Sequence, residues 1–343
     1  MNVLVTGGTG FVGSHVSRQL QAGGHAVRLL VRDEDKARKF FISLGEPVPE
    51  LVRGDVTDAA SVRAAMAGCE GVVHAAAGTP LRAGSVEDMF AVNVGGVKTV
   101  VDAALALGLE RIVCVSSITA IFNEDAARVT PDAPPAPSRL PYGQSKVEAE
   151  LYLRERQAEG APIAIVYPAG VIGPDDPGFS DTCAALRHRI VNGFRIFGDG
   201  GIQHIDVRDL AAFICSLVTA GGAGRFLLPG VYLKWTELAD VVEDASGRPL
   251  KRIPASGWKL RLVGRAMDVV RKFRRIDSPI SAETMRYATL WPDIPNTPEF
   301  EARGLGLRSP RRTFADTLDW MVAAGHLDAA HCPAVAARRA AAE

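Results

Sequence analysis

Between an apolar run, Val3-Leu4-Val5, and a segment of helical periodicity, Val12, Val16 and Leu20, the chain carries Thr6-Gly7-Gly8-Thr9-Gly10-Phe11-Val12-Gly13. Strand, glycine turn and helix in that order leave few folds open. Glycines at 7, 10 and 13 permit a tight turn, close approach of a pyrophosphate to the backbone, and close packing of helix on strand. Unpaired N–H groups at the positive end of the helix dipole would then hold the phosphates. The pattern predicts a dinucleotide cofactor on Gly7, Thr9, Gly10, Phe11, Val12 and Gly13.

Strand-like and helix-like segments alternate from there. Strands are expected at 26–31, 50–53, 71–75, 111–116 and 164–167, with helices at 34–41, 58–67, 86–107 and from Tyr142. This spacing predicts an α/β fold with a Rossmann-type, doubly wound parallel sheet, whose ligands bind beyond the carboxyl ends of the strands. Residues 1–175 are expected to form the dinucleotide-binding domain, rejoined by about 202–222. A smaller C-terminal substrate-binding lobe takes about 176–201 and 223–327. The Ala-rich, polar stretch 328–343 reads as a flexible tail.

Composition narrows the partners. With 39 basic and 39 acidic residues among 343, no global attraction to nucleic acid is expected. Five cysteines without ligand-like spacing suit reduced thiols in the cytoplasm and no metal site. The first strand begins at once and lacks a cleavage pattern, so no signal peptide is expected, and no uninterrupted apolar run has transmembrane length.

Tyr142-Gly143-Gln144-Ser145-Lys146 sets a phenol and an ammonium four residues apart, on one face of a helix that Pro141 can open. The helix end and Lys146 are expected to lower the tyrosine pKa from about 10, so that Tyr142 exchanges a proton with a carbonyl or alcohol oxygen. Ser117, at a strand end, can hydrogen-bond the same oxygen, and a nicotinamide would supply or accept hydride there.

These motifs, with Gly54-Asp55-Val56-Thr57-Asp58, Val73-His74-Ala75-Ala76, Val92-Asn93-Val94, Pro168 with Val171-Ile172-Gly173-Pro174, and Asp206-Val207-Arg208-Asp209, resemble the extended short-chain dehydrogenase/reductase family over roughly residues 1–220. The family is also described as the NAD-dependent epimerase/dehydratase superfamily. The resemblance implies Ser117, Tyr142 and Lys146 as a catalytic triad, with Asn93 supporting the proton relay. It implies Asp55 and Val56 at the adenine, Ala75, Ala76 and Ala77 along the cofactor, and Pro168 and Val171 toward the nicotinamide. Asp55 has an alternative as the cap of the following turn, and Asp206 and Asp209 read as structural braces. A homodimer through a helix pair that includes the Tyr142 helix is a further implication.

Where NAD-preferring members carry aspartate after the second strand, this chain has Val31 followed by Arg32. A guanidinium–phosphate contact is worth about 1.5–3 kcal/mol, a tenfold to hundredfold preference. NADP(H) is therefore expected, with Lys36 and Arg38 as possible reinforcements. Asp33 leaves NAD(H) open, because a one-residue shift would bring it to the ribose.

For the substrate, Gly201-Ile202-Gln203-His204 lacks the arginine with which sugar-nucleotide members grip a diphosphate, and Tyr167 stands where an arginine is common. The sequence looks more like the dihydroflavonol-reductase and 3β-hydroxysteroid-dehydrogenase branch. A reductase of apolar ketones or aldehydes is the first expectation, a nucleotide-sugar epimerase or dehydratase the second, and an NADP(H)-sensing regulator the third. His204 fits either substrate contact or the lobe interface. The segment 258–275 combines seven basic residues with apolar ones at helical spacing. It reads as a lobe helix with one face in the core, as a contact with an anionic membrane surface, or as an attractor of acidic substrates.

Overall fold

The near-continuous apolar runs of the first half become strands covered on both faces, the pattern of a buried parallel sheet. A computed structural model describes residues 1–78, 84–122, 129–198, 200–271, 273–274 and 280–340. β1 (Asn2–Thr6), α1 (Phe11–Ala22), β2 (Ala26–Val31), α2 (Glu34–Ser43), β3 (Glu50–Arg53) and α3 (Ala59–Met66) lead into β4 (Gly71–His74). There follow α4 (Val86–Phe90), α5 (Val97–Ala106), β5 (Ile112–Val115), α6 (Pro141–Ala158) and β6 (Ile163–Pro168).

The second half comprises β7 (Gly170–Ile172), α7 (Asp181–Asn192), β8 (Phe194–Phe197), β9 (Gly201–Asp206), α8 (Val207–Ala220) and β10 (Gly224–Leu228). After these come β11 (Val231–Lys234), α9 (Trp235–Ser246), β12 (Arg252–Ala255), α10 (Gly257–Arg271), α11 (Ala282–Leu290), α12 (Pro298–Ala302), α13 (Pro310–Ala323) and α14 (Pro333–Ala340).

The main sheet runs β10-β6-β5-β4-β1-β2-β3, parallel throughout. Its strand order reverses between β1 and β4, which fixes where the ligand crevice opens. One face is covered by α3, α5 and α6. The other is covered by α1, α2 and α8. A third apolar cluster, joining α7, α9 and α13, is the core of the C-terminal lobe.

Four features differ from the sequence reading. β10, expected within the lobe, is the seventh strand of the main sheet; Phe226 and Leu228 feed the core on one face and Leu227 the other. β9 sits instead in a three-stranded sheet with β7 and β11. The helix expected over 86–107 contains a π-type segment, Ala91–Gly96, between α4 and α5. Residues 328–340 are not a loose tail: Cys332 and Val335 are buried in the lobe core and Arg338 pairs with Asp319. Their apolar stripe, diluted by alanine, is what composition concealed.

By length and composition alone, Val86–Ala106 is a helical stretch able to cross a membrane. Here Val97, Val100, Val101 and Ala104 are buried against the sheet and α3.

Three histidines are locked neutral inside this fold. Burial lowers His15 to about 4, and both His74 and His204 to about 3. The unfolded chain binds protons at these sites near pH 6.5 and the folded chain does not, so stability falls as pH drops through that value toward 4. Urea unfolding is expected to show a lower midpoint at pH 5 than at pH 7, and replacing His74 by glutamine should flatten that difference.

Candidate active site

The glycine turn is built around contacts that no side chain would allow. Gly7 has φ +71°, and a Cβ there would lie 2.6 Å from the Ala76 nitrogen, so β1 and the chain leaving β4 meet backbone to backbone. A Cβ on Gly13 would lie 2.2 Å from the Gly7 carbonyl oxygen, which is why α1 can start directly against the turn. Gly13→Ala is expected to overpack this contact by about 1–3 kcal/mol, lowering the thermal midpoint by several degrees.

Beyond the turn opens a cleft of about 790 Å³ at the carboxyl ends of β1, β2 and β4. Gly7, Thr9 and Gly10 form its floor; Val31, Arg32 and Lys36 form one wall; Asp55 and Val56 with Ala75, Ala76 and Ala77 form the other. The backbone cradle and the elongated volume fit a dinucleotide. Asp33, the residue that left the ribose question open, is spent locally: its carboxylate caps α2, accepting from the Lys36 N–H at 2.9 Å. Asp55 lines the cleft and caps the next turn as well, accepting from the Thr57 N–H and hydroxyl.

Sequence reading did not find Phe40, Gly84, Asp88, Ala91, Val92, Pro177 or Gly178, which also line the cleft. They come from other elements, and only the fold gathers them. Arg38, Phe11, Val12 and Gly13 are not on the wall. Phe11 is buried edge-on to His15, with ring centroids 5.8 Å apart. Pro168 ends β6 and Val171 pairs with Ile205 in the second sheet; like Ser117, Tyr142 and Lys146, they are not among the residues lining this cleft.

Tyr142 and Lys146 lie in the first turns of α6, which Pro141 opens at the position where a missing N–H costs nothing. The Ser117 hydroxyl lies close enough to Tyr142 to favour its ionised form. Ser117 also accepts from the Thr119 hydroxyl at 2.9 Å, which fixes its orientation. The Lys146 ammonium stands 5.8 Å from the centre of the Tyr142 ring.

The pKa of the phenol moves opposite to expectation. Burial pushes Tyr142 up to about 12; the nearby Ser117 hydroxyl opposes this and the Asp181 carboxylate of the facing lobe adds to it. Burial also brings Lys146 down to about 8, against the pull of Cys114 and Glu150. Desolvation is the largest cause at both groups, and neither group is among the causes that shift the other. At neutral pH the site holds a neutral phenol, ready to give a proton, beside an ammonium that is still charged.

Asn93, in the π-type segment, is a clamp. It accepts from the Gly78 N–H at 2.7 Å and donates to the Gly78 carbonyl at 3.0 Å and to the Ser145 hydroxyl at 2.9 Å. The chain beyond β4 is thereby tied to the Tyr142 helix.

Beneath the site lies a network that the sequence reading missed. Glu150, fully buried one turn after Lys146, accepts from Tyr167 at 2.5 Å, Arg154 at 2.7 Å and Ser116 at 3.2 Å. The available signal was the spacing of Tyr142, Lys146 and Glu150 at four-residue steps, which places an acid on the buried face of the helix.

Asp206 and Asp209 brace the lobe as expected. Asp206 caps α8 and accepts from Arg208 and Thr313, and Asp209 holds Arg308. His204 lies in the lobe interior, edge-on to Phe314 at 5.7 Å.

Comparison with known proteins places this site in context. The family model for the NAD-dependent epimerase/dehydratase family matches residues 3–227. The chain is 26% identical to "Sterol demethylase protein B" of Methylococcus capsulatus over 93% of this chain and 98% of that protein. It is 30% identical to a "3-beta-hydroxysteroid dehydrogenase" of Mycolicibacterium neoaurum over 77% and 75% of the two chains. It is also 30% identical to a "UDP-glucose 4-epimerase" of Mycolicibacterium smegmatis, over 73% and 84%.

Proposed function

The chain is an enzyme of the NAD-dependent epimerase/dehydratase family, and from that premise we propose an NADP(H)-dependent oxidoreductase that reduces a ketone or aldehyde of a rather apolar small molecule, or oxidises the corresponding alcohol. The observation that carries this reading is the convergence of the Tyr142 phenol, kept neutral by burial, with the Ser117 hydroxyl beside it and Lys146 one turn along the same helix. Gly7, Thr9 and Gly10 hold the cofactor phosphates, and Ala75, Ala76 and Ala77 line its path. When bound, the nicotinamide supplies or accepts hydride. Tyr142 gives its proton to the substrate oxygen, Ser117 donates a hydrogen bond to that oxygen, and Lys146 stabilises the phenolate that results. Asn93 keeps the strap beyond β4 in register with α6.

Arg32 and Lys36 on the cleft wall, with Asp33 engaged in capping α2, support NADP(H) over NAD(H) through the 2′-phosphate. Isothermal titration is expected to give tenfold to hundredfold tighter binding of NADPH than NADH. Arg32→Ser should remove most of that gap. Equal affinities in the wild-type protein would overturn the preference.

Two features support an apolar substrate. One is the naming of two relatives for sterol or steroid chemistry. The other is β9: Ile202 packs in the lobe core, Gln203 bonds to the Ile294 backbone, and His204 meets Phe314 edge-on, so no guanidinium is offered from this strand. The UDP-glucose 4-epimerase relative favours a second reading, with retained cofactor and no net redox change. Sugar-nucleotide turnover without NADPH consumption would distinguish it.

A further inference from the structure

An amphipathic lobe helix normally buries its apolar stripe and shows its charges to water. In α10 the arrangement is reversed, contrary to the reading that sets its apolar face in the core. Gly264 is its single buried residue, seated where a Cβ would lie 2.5 Å from the Ser281 carbonyl oxygen, so α11 packs close. The side turned to α11 combines half-buried Leu260 and Met267 with polar pairing: Arg261 donates to Thr289, and Asp268 accepts from the Ala282 N–H and from Arg271.

The apolar side faces out. Trp258 is 61% exposed, Leu262 58%, Val269 54% and Phe273, in the turn that follows, 82%. At about 100° per residue these four fall within an arc of about 60°. Exposed Val263 and Val270 widen the stripe. Lys259, Arg265 and Arg274 are exposed along it, and the Lys259 ammonium lies 5.6 Å from the Trp258 ring. Lys272 and Arg275 lie outside the described residues.

We propose that α10 lies in the surface of an anionic lipid bilayer, with Trp258, Leu262, Val269 and Phe273 among the acyl chains and Lys259, Arg265 and Arg274 at the headgroups. An aromatic at each end of the stripe and cations that can snorkel along its margins match an interfacial helix. The same cations disfavour a second copy as the occupant, because a two-fold axis through α10 would set like charges opposite one another. The chain as a whole is neutral, so this basic helix is a local feature.

The helix that packs beneath α10 reaches the loop before the catalytic helix. Glu283 on α11 accepts from the Ser138 hydroxyl at 2.6 Å and the Arg139 N–H at 3.0 Å, in the loop that leads into Tyr142. The surface itself does not depend on which compound the active site takes.

The test is flotation of the full chain with vesicles of phosphatidylcholine, alone or mixed with phosphatidylglycerol, at 0.1 M salt. The protein should float with the anionic vesicles and not with the neutral ones. Neutralising Lys259, Arg265 and Arg274 to glutamine should weaken partitioning by about fivefold per residue, on the order of a hundredfold together. Trp258→Ser with Phe273→Ser should abolish flotation, and both variants should keep the wild-type melting temperature because the side chains are exposed. Failure of the wild-type protein to float with anionic vesicles would overturn the proposal, as would equal flotation of the variants. So would a dimer, by analytical ultracentrifugation, that Trp258→Ser with Phe273→Ser converts to monomer.

Discussion

Tyr142→Phe is expected to lower kcat for carbonyl reduction by about a thousandfold while leaving NADPH affinity unchanged. The substitution removes the hydroxyl and keeps the ring, so the buried packing of α6 against the Ser117 turn survives. What is lost is the proton donor beside Ser117. General acid catalysis contributes typically 10²–10⁴-fold, so a loss on that scale separates a proton donor from a wall residue.

The pH profile adds a second, independent readout. Burial holds Lys146 near 8, well below an ordinary lysine. Below that value the ammonium is charged and can support the phenolate formed as Tyr142 gives up its proton. Above it the charge disappears and reduction should slow, with kcat/KM for reduction falling as pH rises through about 8. Lys146→Arg, which keeps its charge at every accessible pH, should shift or remove this descending limb even where its activity is lower.

Glu150→Leu is expected to destabilise the fold by about 3–5 kcal/mol, the range for breaking a buried charged network by removing one member. Glu150 is completely buried and serves three donors at once, on α6, β6 and the end of β5. Its removal leaves the Tyr167 hydroxyl and the Arg154 guanidinium without their acceptor, in a place where water has little access. A thermal melt should show a drop of about 4–7 °C. Tyr167→Phe, which deletes one neutral donor and leaves the Arg154 pair, should cost only about 1 kcal/mol. Equal losses for the two variants would mean that the network is packing and not electrostatics. Because Ser116 neighbours Ser117 and Glu150 follows Lys146 by one turn, the leucine variant should also lose kcat beyond its loss of stability, measured well below its melting temperature.

The glycine turn, the six strands from β1 to β6 and the pairing of Tyr142 with Lys146 were all readable from the sequence, because each is written in local spacing. Positive φ at Gly7 and the tight seat of Gly13 are the physical reasons for two of those glycines. The seventh strand was not readable. It is a five-residue segment separated from its partner β6 by the whole excursion of β7 to α8, and no local signal says which sheet it joins.

Burial explains the other departures. The sequence showed Lys146 beside Tyr142 but not that Lys146 is buried and Tyr142 half-buried, so the desolvation that dominates both shifts was not visible. In α10 periodicity revealed an apolar stripe, yet the side that meets the protein is set by Gly264 and its approach to Ser281, a tertiary contact. Asp33 is the opposite case. A helix cap is a local event, and Asp33 as the acceptor for the Lys36 N–H was legible from sequence alone.

Hydride accounting with a panel of apolar ketones and aldehydes tests the central claim most directly, following NADPH absorbance and alcohol formation in the same reaction. The account predicts one NADPH consumed for each alcohol formed. Interconversion of sugar nucleotides with no net change in the nicotinamide, and no consumption with any carbonyl compound, would contradict it.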